Sequence, residues 1–242
     1  MPRISRHDGR RADELRPVRI TPDYVGSAEG SCLIEAGRTR VICTASFVPG
    51  VEKWRAGKGL GWVTAEYGML PASTGSRKPR PGAKPDGRGV EIQRLIGRVL
   101  RGVARYESIG ENTFYLDCDV LEADGGTRTA AINGAYVSLV LAARKCEASG
   151  RCQAGVIRGR VAAISVGLVG GRELLDLDYQ EDSSADVDLN LAMTGDGKFV
   201  EVQAAAEGAA FSDAQLRRML ALGQRSIRKV MAIQKQAMGS GT

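Results

Sequence analysis

The stretch Ala130–Arg144, AAINGAYVSLVLAAR, is apolar nearly all the way round a helix. A helix with no polar face must be covered on every side, so this segment predicts a buried central helix around which the other elements are arranged. The turn LEADGGTRT, Leu121–Thr129, leads directly into it. Before that, Thr113–Leu121 (TFYLDCDVL) alternates in period two and reads as a strand with Phe114, Leu116, Cys118 and Val120 on one face.

The remaining elements read as hairpins and amphipathic helices. Ser31–Thr44 (SCLIEAGRTRVICT) is a hairpin turning at Gly37, and Asp188–Val202 is a second, turning at Gly195-Asp196-Gly197. Arg160–Val169 and Glu173–Tyr179 form a strand pair joined by Gly170-Gly171. Gly57–Leu70 is a glycine-rich loop entering a short strand, without the strand-then-helix setting of a dinucleotide site. Ile92, Leu95, Ile96, Val99, Leu100 and Val103 recur at helical spacing. Arg94, Arg98, Arg101 and Arg105 lie on another face, which solvent, a partner chain or RNA would meet. A capping box, Ser212–Gln215, opens a last helix with Leu216, Met219, Leu220, Ile227, Val230 and Met231 inside. Hairpin, glycine-rich loop and amphipathic helix occur twice, near Ser31–Arg105 and near Asp188–Met231, a pattern open to reading as an internal pseudo-duplication. No linker interrupts it, so residues 1–242 are expected to form a single α+β domain, with a flexible basic loop at 72–89 as an excursion.

Composition removes several function classes. Hydrophobic residues make up 43%, enough for a substantial core, and the longest apolar run, Val161–Val169, is far too short to span a bilayer. The charged N-terminal stretch has no apolar segment of a signal peptide. Five cysteines (Cys32, Cys43, Cys118, Cys146, Cys152), with no CxxC spacing, argue against a disulfide framework or zinc site and for a reduced, cytoplasmic setting. The net charge of +6 fits a polyanionic partner or ordinary solubilising charge. The single histidine, His7, lies in a polar terminal segment of the kind most often poorly ordered. A Ser-His-Asp triad, a paired-histidine ribonuclease site and a histidine-rich metal site are therefore excluded. Catalysis has to use carboxylates, metals, arginines or backbone amides.

Three segments carry such chemistry. In DGGTRT, a helix start offers unpaired N–H groups, Gly125-Gly126 admit close backbone approach, Thr127 adds a hydroxyl and Arg128 a guanidinium fork. This is either an anion seat or a tight turn with Thr127 as N-cap. Arg88, in PDGRGVEIQRL, stands at a second helix start, so two arginines have the placement to clamp one phosphate. The acidic run Asp176–Asp188 (DLDYQEDSSADVD) is either a site for Mg2+ or Mn2+ or acid–base work, or a solvated loop. Alternation puts Asp176 with Asp178, and Asp186 with Asp188, on shared strand faces without saying which converge. The Thr74–Gly89 loop carries Arg77, Lys78, Arg80, Lys84 and Arg88 among prolines and glycines, a cationic arm suited to a phosphate backbone.

The blocks GKGLGWVTAEYGMLP, GRGVEIQRLIGRVLR, LDCDVLEADGGTRTA, EDSSADVDLNLAMT and VEVQAAAEG, in order from about Arg16 to the last helix, resemble the bacterial ribonuclease PH family. These enzymes are phosphate-dependent 3′→5′ exoribonucleases, or tRNA nucleotidyltransferases, that trim tRNA precursors and add nucleotides in reverse. The resemblance implies a ribosomal protein S5 domain 2-like α+β fold assembled as a homohexamer, a trimer of dimers. It implies that Arg88 and the Gly126-Thr127-Arg128 segment bind inorganic phosphate, the co-substrate. It makes Asp182 and Asp188 the catalytic pair, holding a divalent metal or protonating the leaving 3′ oxygen. RNA, tRNA precursor 3′ ends above all, would be the partner, gripped by Arg77, Lys78 and Arg80, with no DNA or membrane expected. One departure stands out: Ala72 follows the MLP block, where family members commonly carry arginine.

Overall fold

A computed structural model describes residues 6–79, 87–208 and 210–239. Five strands form one sheet: β1 (Val18–Pro22), β2 (Gly30–Ala36), β3 (Thr39–Pro49), β4 (Trp62–Met69) and β5 (Asn112–Glu122), in the order β1-β2-β3-β5-β4. All pairs are antiparallel except β4 with β5. The second sheet comprises β6 (Val161–Val169), β7 (Arg172–Leu175), β8 (Val187–Thr194) and β9 (Phe199–Ala206), antiparallel throughout, in the order β7-β6-β8-β9.

Between the sheets runs α3 (Thr127–Ala148), the expected central helix, against β2, β3 and β5 on one side and β6 on the other. It approaches the first sheet closely enough to need glycine. A Cβ on Gly30 would lie 2.1 Å from the Ser138 carbonyl oxygen, and one on Gly134 would lie 2.6 Å from Cys43 Sγ. On the opposite side the helix buries the polar Asn133. Its amide donates to Ala163 O and accepts from Ala163 N, both at 2.9 Å. Placed there, the side chain serves β6 as another strand's backbone would, so its burial carries no unsatisfied polar group. Gln234, on α5 (Asp213–Ala237), donates to the same Asn133 oxygen at 3.3 Å.

Two further long helices flank this layer, and the one-turn α2 (Tyr106–Ile109) leads into β5. α1 (Gly87–Arg101) buries Ile92, Leu95, Ile96, Val99 and Leu100 against β4 and α3. α5, opened by the Ser212–Gln215 capping box, packs on β6, β1 and β7. Phe114, Leu116, Cys118 and Val120 all point into the core, as their alternation predicts. Hairpin followed by helix does occur in both halves, but the first continues into β5, parallel to β4, and the second has no such strand. The stripe on α1 is only partly solvated: Arg98 pairs with Glu201 at 2.6 Å, and Arg101 donates to Val63 O at 3.1 Å.

The acidic run departs from the expected strand. β7 stops at Leu175; Asp176 has φ 53°, and Asp178 caps the one-turn helix α4 (Tyr179–Asp182). Asp176 and Asp178 therefore share no strand face. Among the described residues no helix is long and apolar enough to cross a membrane. Gly30→Ala is expected to cost on the order of 1–3 kcal/mol or more, because the added methyl meets backbone that cannot rotate away. Chemical denaturation with an unchanged m-value checks it.

Candidate active site

The turn between β5 and α3 is built by three anchors. Thr39 Oγ1 donates to Gly125 O at 2.7 Å and accepts from Asp124 N at 2.9 Å. Arg16, only 5% exposed, donates Nη1 to Asp124 O at 2.5 Å. The same guanidinium grips Asp176 in a fork, Nη2 to Oδ1 at 2.7 Å and Nε to Oδ2 at 3.1 Å. Gly125 and Gly126 both have left-handed φ, 74° and 65°, so their freedom is required there. The space they leave is taken by protein. A Cβ on Gly125 would meet the Asp178 carbonyl carbon at 2.5 Å, and one on Gly126 would meet Arg16 Nη2 at 2.8 Å. The glycines thus admit the acidic segment and Arg16, where close approach to an anion was expected.

Thr127 does not cap the helix. Gly126 holds that position without a side-chain bond, and Thr127 Oγ1 instead accepts from Tyr67 Oη at 2.9 Å. The first N–H groups of α3 have no intrahelical acceptor, as at any helix start. Arg128 follows at the second helical position and donates to Gln203 Oε1 at 3.4 Å; Gln203 in turn donates to Glu91 at 3.0 Å. Glu91 lies one turn beyond Arg88, which stands at the start of α1. Arg88 and Arg128 act on the same neighbours. Burial pushes the Tyr67 hydroxyl up, and the Thr127 contact and both guanidiniums pull it back.

Asp182 ends α4 and Asp188 is the second residue of β8. Burial raises the proton affinity of Asp182 above the ordinary carboxylate range, against the opposing charges of Arg128, Arg88 and Arg16. Burial also raises Asp188; the Asp182 charge adds to this, and Arg128 and a 2.9 Å bond from Asn190 oppose it. Glu207 pushes both the same way. The structure therefore brings Arg88, Thr127, Arg128, Asp182 and Asp188 to one place, with Gly126 in the turn beneath. Two mutually repelling, half-buried carboxylates are a donor set suited to a hard divalent cation.

Three other acids of the run are structural. Asp176, Asp178 and Glu181 are 3%, 5% and 5% exposed, so the run is no solvated loop. The N-terminal segment, expected to be poorly ordered, is what buries them. Arg6 forks onto Glu181, Nε to Oε1 at 2.6 Å with Nη2 on Oε2, and donates to Leu175 O at 2.8 Å. Arg10 donates to Asp176 O at 2.9 Å, and His7 Nε2 meets Asp178 Oδ2 at 2.7 Å. Among the described residues, His7, Asp178 and Glu181 are the one group of three metal-ligand types lying close together. The two carboxylates are already engaged by guanidiniums and by the α4 capping box, so this trio is a latch.

Past β4, Leu70 N donates to Val120 O, and Ala123 N to Ser73 O at 2.8 Å, so the basic loop begins beside the DGG turn. Arg77 and Lys78 are exposed there, as is Ala72. Arg80 and Lys84 lie outside the described residues. Tyr67, Gln203, Glu91, Asn190 and Glu207 were not singled out from the sequence. Tyr67 and Gln203 stand inside the blocks AEYGML and VEVQ, and only their contacts mark them.

Residues 14–145 match the model of the 3′ exoribonuclease family, domain 1, and residues 159–226 that of domain 2. A protein of Bifidobacterium longum (strain NCC 2705) named Ribonuclease PH is 51% identical over 239 residues, covering 97% of this chain and 96% of that one. An Archaeoglobus fulgidus exosome with RNA bound to the active site aligns with TM-score 0.82 at 23% identity, over 96% of this chain and 93% of that chain. A rice (Oryza sativa) Rrp46 crystal structure aligns with TM-score 0.79 at 17% identity, over 97% and 100%. At these identities the structural likenesses show the fold.

A raised carboxylate pKa in the folded state contributes stability while the group is protonated and loses it as pH rises through that pKa. Once ionised, Asp182 and Asp188 therefore oppose folding. Asp188→Asn should raise Tm by a few degrees at pH 7, and the gain should vanish as pH falls through the carboxylate range. Thermal melts across pH check this.

Proposed function

The chain belongs to the 3′ exoribonuclease family, and on that premise we propose that Arg88 and the amino end of α3 hold inorganic phosphate as the attacking nucleophile. The protein is a phosphorolytic 3′→5′ exoribonuclease. The observation that supports this site is the convergence of two guanidiniums, Arg88 and Arg128, on the half-buried Asp182 beside an open helix start.

Each group then has a task. Phosphate sits against the α3 N–H groups and the two guanidinium forks, with the Thr127 hydroxyl oriented by Tyr67. One of its oxygens attacks the phosphorus of the last phosphodiester in line. The bond from that phosphorus to the 3′ oxygen of the preceding nucleotide breaks, and this oxygen takes up a proton. A nucleoside diphosphate leaves, and the RNA is one residue shorter with a free 3′ hydroxyl. Negative charge spreads over phosphoryl oxygens along the way, so cations and N–H groups fixed beforehand lower the barrier most. Asp182 or Asp188, with raised proton affinity, is suited to supplying the proton. Alternatively, a divalent cation, Mg2+ or Mn2+, held by these two carboxylates would neutralise charge at the leaving oxygen in place of the proton. Because both directions exchange one phosphoryl linkage for another, addition of nucleotides from diphosphates is the reverse reaction.

RNA is the substrate, and tRNA precursors, together with ribosomal RNA ends, are the proposed natural targets. Arg77, Lys78 and Arg80 would hold the RNA body by its phosphates. The working form would be a homohexamer, a trimer of dimers, in the cytoplasm. The RNA at the active site of the Archaeoglobus fulgidus exosome supports the RNA reading.

The deciding experiment incubates a tRNA precursor bearing a short 3′ extension with Mg2+, with and without phosphate, and resolves the released nucleotides. Diphosphates appearing only with phosphate are expected; monophosphates without phosphate would overturn the arginine assignment. In the same assay Arg128→Ala should lose about 10²–10³ in rate, as for a removed oxyanion donor. Gln203→Ala, which releases Arg128 from one hydrogen bond, should raise KM for phosphate about fivefold with a smaller effect on kcat.

A further inference from the structure

The β3–β4 connection, glycine-rich and unused by the reaction, builds a compact aromatic cluster. Arg55, 8% exposed, lies among three rings, its guanidinium carbon 5.5 Å from the centre of Trp54, 4.6 Å from Trp62 and 4.4 Å from Tyr106. Arg101 sits over the Trp62 ring at 4.7 Å. The loop is fastened at several points. Arg55 Nε donates to Gly61 O at 2.7 Å, Gly61 N to Tyr106 O at 2.9 Å, and Gly59 N to the Glu111 carboxylate at 3.0 Å. Gly61 has no room for a side chain, since a Cβ would lie 2.3 Å from Ile109.

On top of this stack stands Trp54, 55% exposed. Its ring meets Trp62 at 5.0 Å and 88°, an edge-to-face contact that covers at most one face. A surface tryptophan is thus held in place beforehand, so binding to it orders little that was free. Exposed Lys53 precedes it in the chain, and exposed Lys58 follows four residues on in the same loop. Of the nearby carboxylates, Glu111 is bound to the loop backbone, while Glu52 and Glu107 are exposed.

Both routes from the phosphate seat lead here. Along β4, Trp62 is five residues from Tyr67, about 16 Å. Along α1, Arg101 is thirteen residues from Arg88, about 20 Å, past the outward-facing Arg94 and Arg98. We propose that Trp54, set on the Arg55 guanidinium, is a stacking platform for an unpaired base of the RNA strand upstream of the 3′ end being trimmed. This rests on RNA 3′ ends being the substrate. Every base has a π-face, so such a contact is tolerant of sequence, and lysines beside an aromatic ring suit a phosphodiester strand. A second copy of the chain fits less well, because a subunit contact needs a wide apolar area depleted in lysine and this is one ring in a loop with two lysines.

Fluorescence anisotropy in phosphate-free buffer tests it with two labelled single-stranded RNAs, one long enough to reach Trp54 from the seat and one of three nucleotides. Trp54→Ala should weaken the long RNA by about fivefold or more and the short one hardly at all, with Trp54→Phe restoring most of the loss. Size-exclusion chromatography with light scattering should find the assembly unchanged. Equal affinity for the long RNA in the alanine variant, equal weakening of both RNAs, or a changed assembly would each overturn the platform. Loss of diphosphate release by the wild type with this length dependence intact would count against the phosphorolytic site alone.

Discussion

The ion pair between Arg16 and Asp176 holds the site together. Both partners are 5% exposed or less, and a charge so placed is tolerable only when every lone pair and proton is matched. Here they are. The guanidinium bonds both carboxylate oxygens and the Asp124 carbonyl, and the Arg16 backbone N–H adds a third bond to Asp176 at 2.8 Å. Three segments far apart in sequence meet at this one contact: the N-terminal arm, the DGG turn and the start of the acidic run. Breaking such a pair costs about 3–5 kcal/mol because the survivor stays buried and charged. That asymmetry keeps the left-handed Gly126, and with it the start of α3, in register with α4.

A division of labour among like residues follows. Arg6, Arg10 and Arg16 are buried and spend their donors on carboxylates and carbonyls of residues 124 and 175–181. Arg88 and Arg128, at helix starts, also act electrostatically on Asp182 and Tyr67. The carboxylates divide in the same way. Asp176, Asp178 and Glu181 are neutralised by the arm, whereas the half-buried Asp188 feels the like charges of Asp182 and Glu207. Asp178 and Glu181 set where α4 begins, and one turn on its last residue is Asp182.

What the sequence made legible was whatever has a short period or a local rule. The all-round apolar character of Ala130–Arg144 placed the central helix, alternation placed β5, and the Ser212 box placed the start of α5. Local rules failed where distant groups override them. Thr127 at a helix start suggests a cap, but Tyr67, sixty residues away, takes its oxygen. The paired aspartates suggested a strand that Asp176, turned left-handed to meet Arg16, brings to an end. His7 and its neighbouring arginines looked like a loose terminus because their partners lie more than 160 residues on, and no periodicity records such a pairing. Singling out Asp182 and Asp188 took the family likeness; spacing alone left the acidic run undivided.

The docked arm also sets an order of events as the chain is made. Arg6–Arg16 are made 160–175 residues before the partners they hold in the acidic segment. Contacts of such sequence separation form late, after local helices and hairpins. The central helix and first sheet can assemble early, but α4 cannot settle until the arm closes over it. Asp182, at the end of α4, is therefore set in place later than the central helix that carries Arg128.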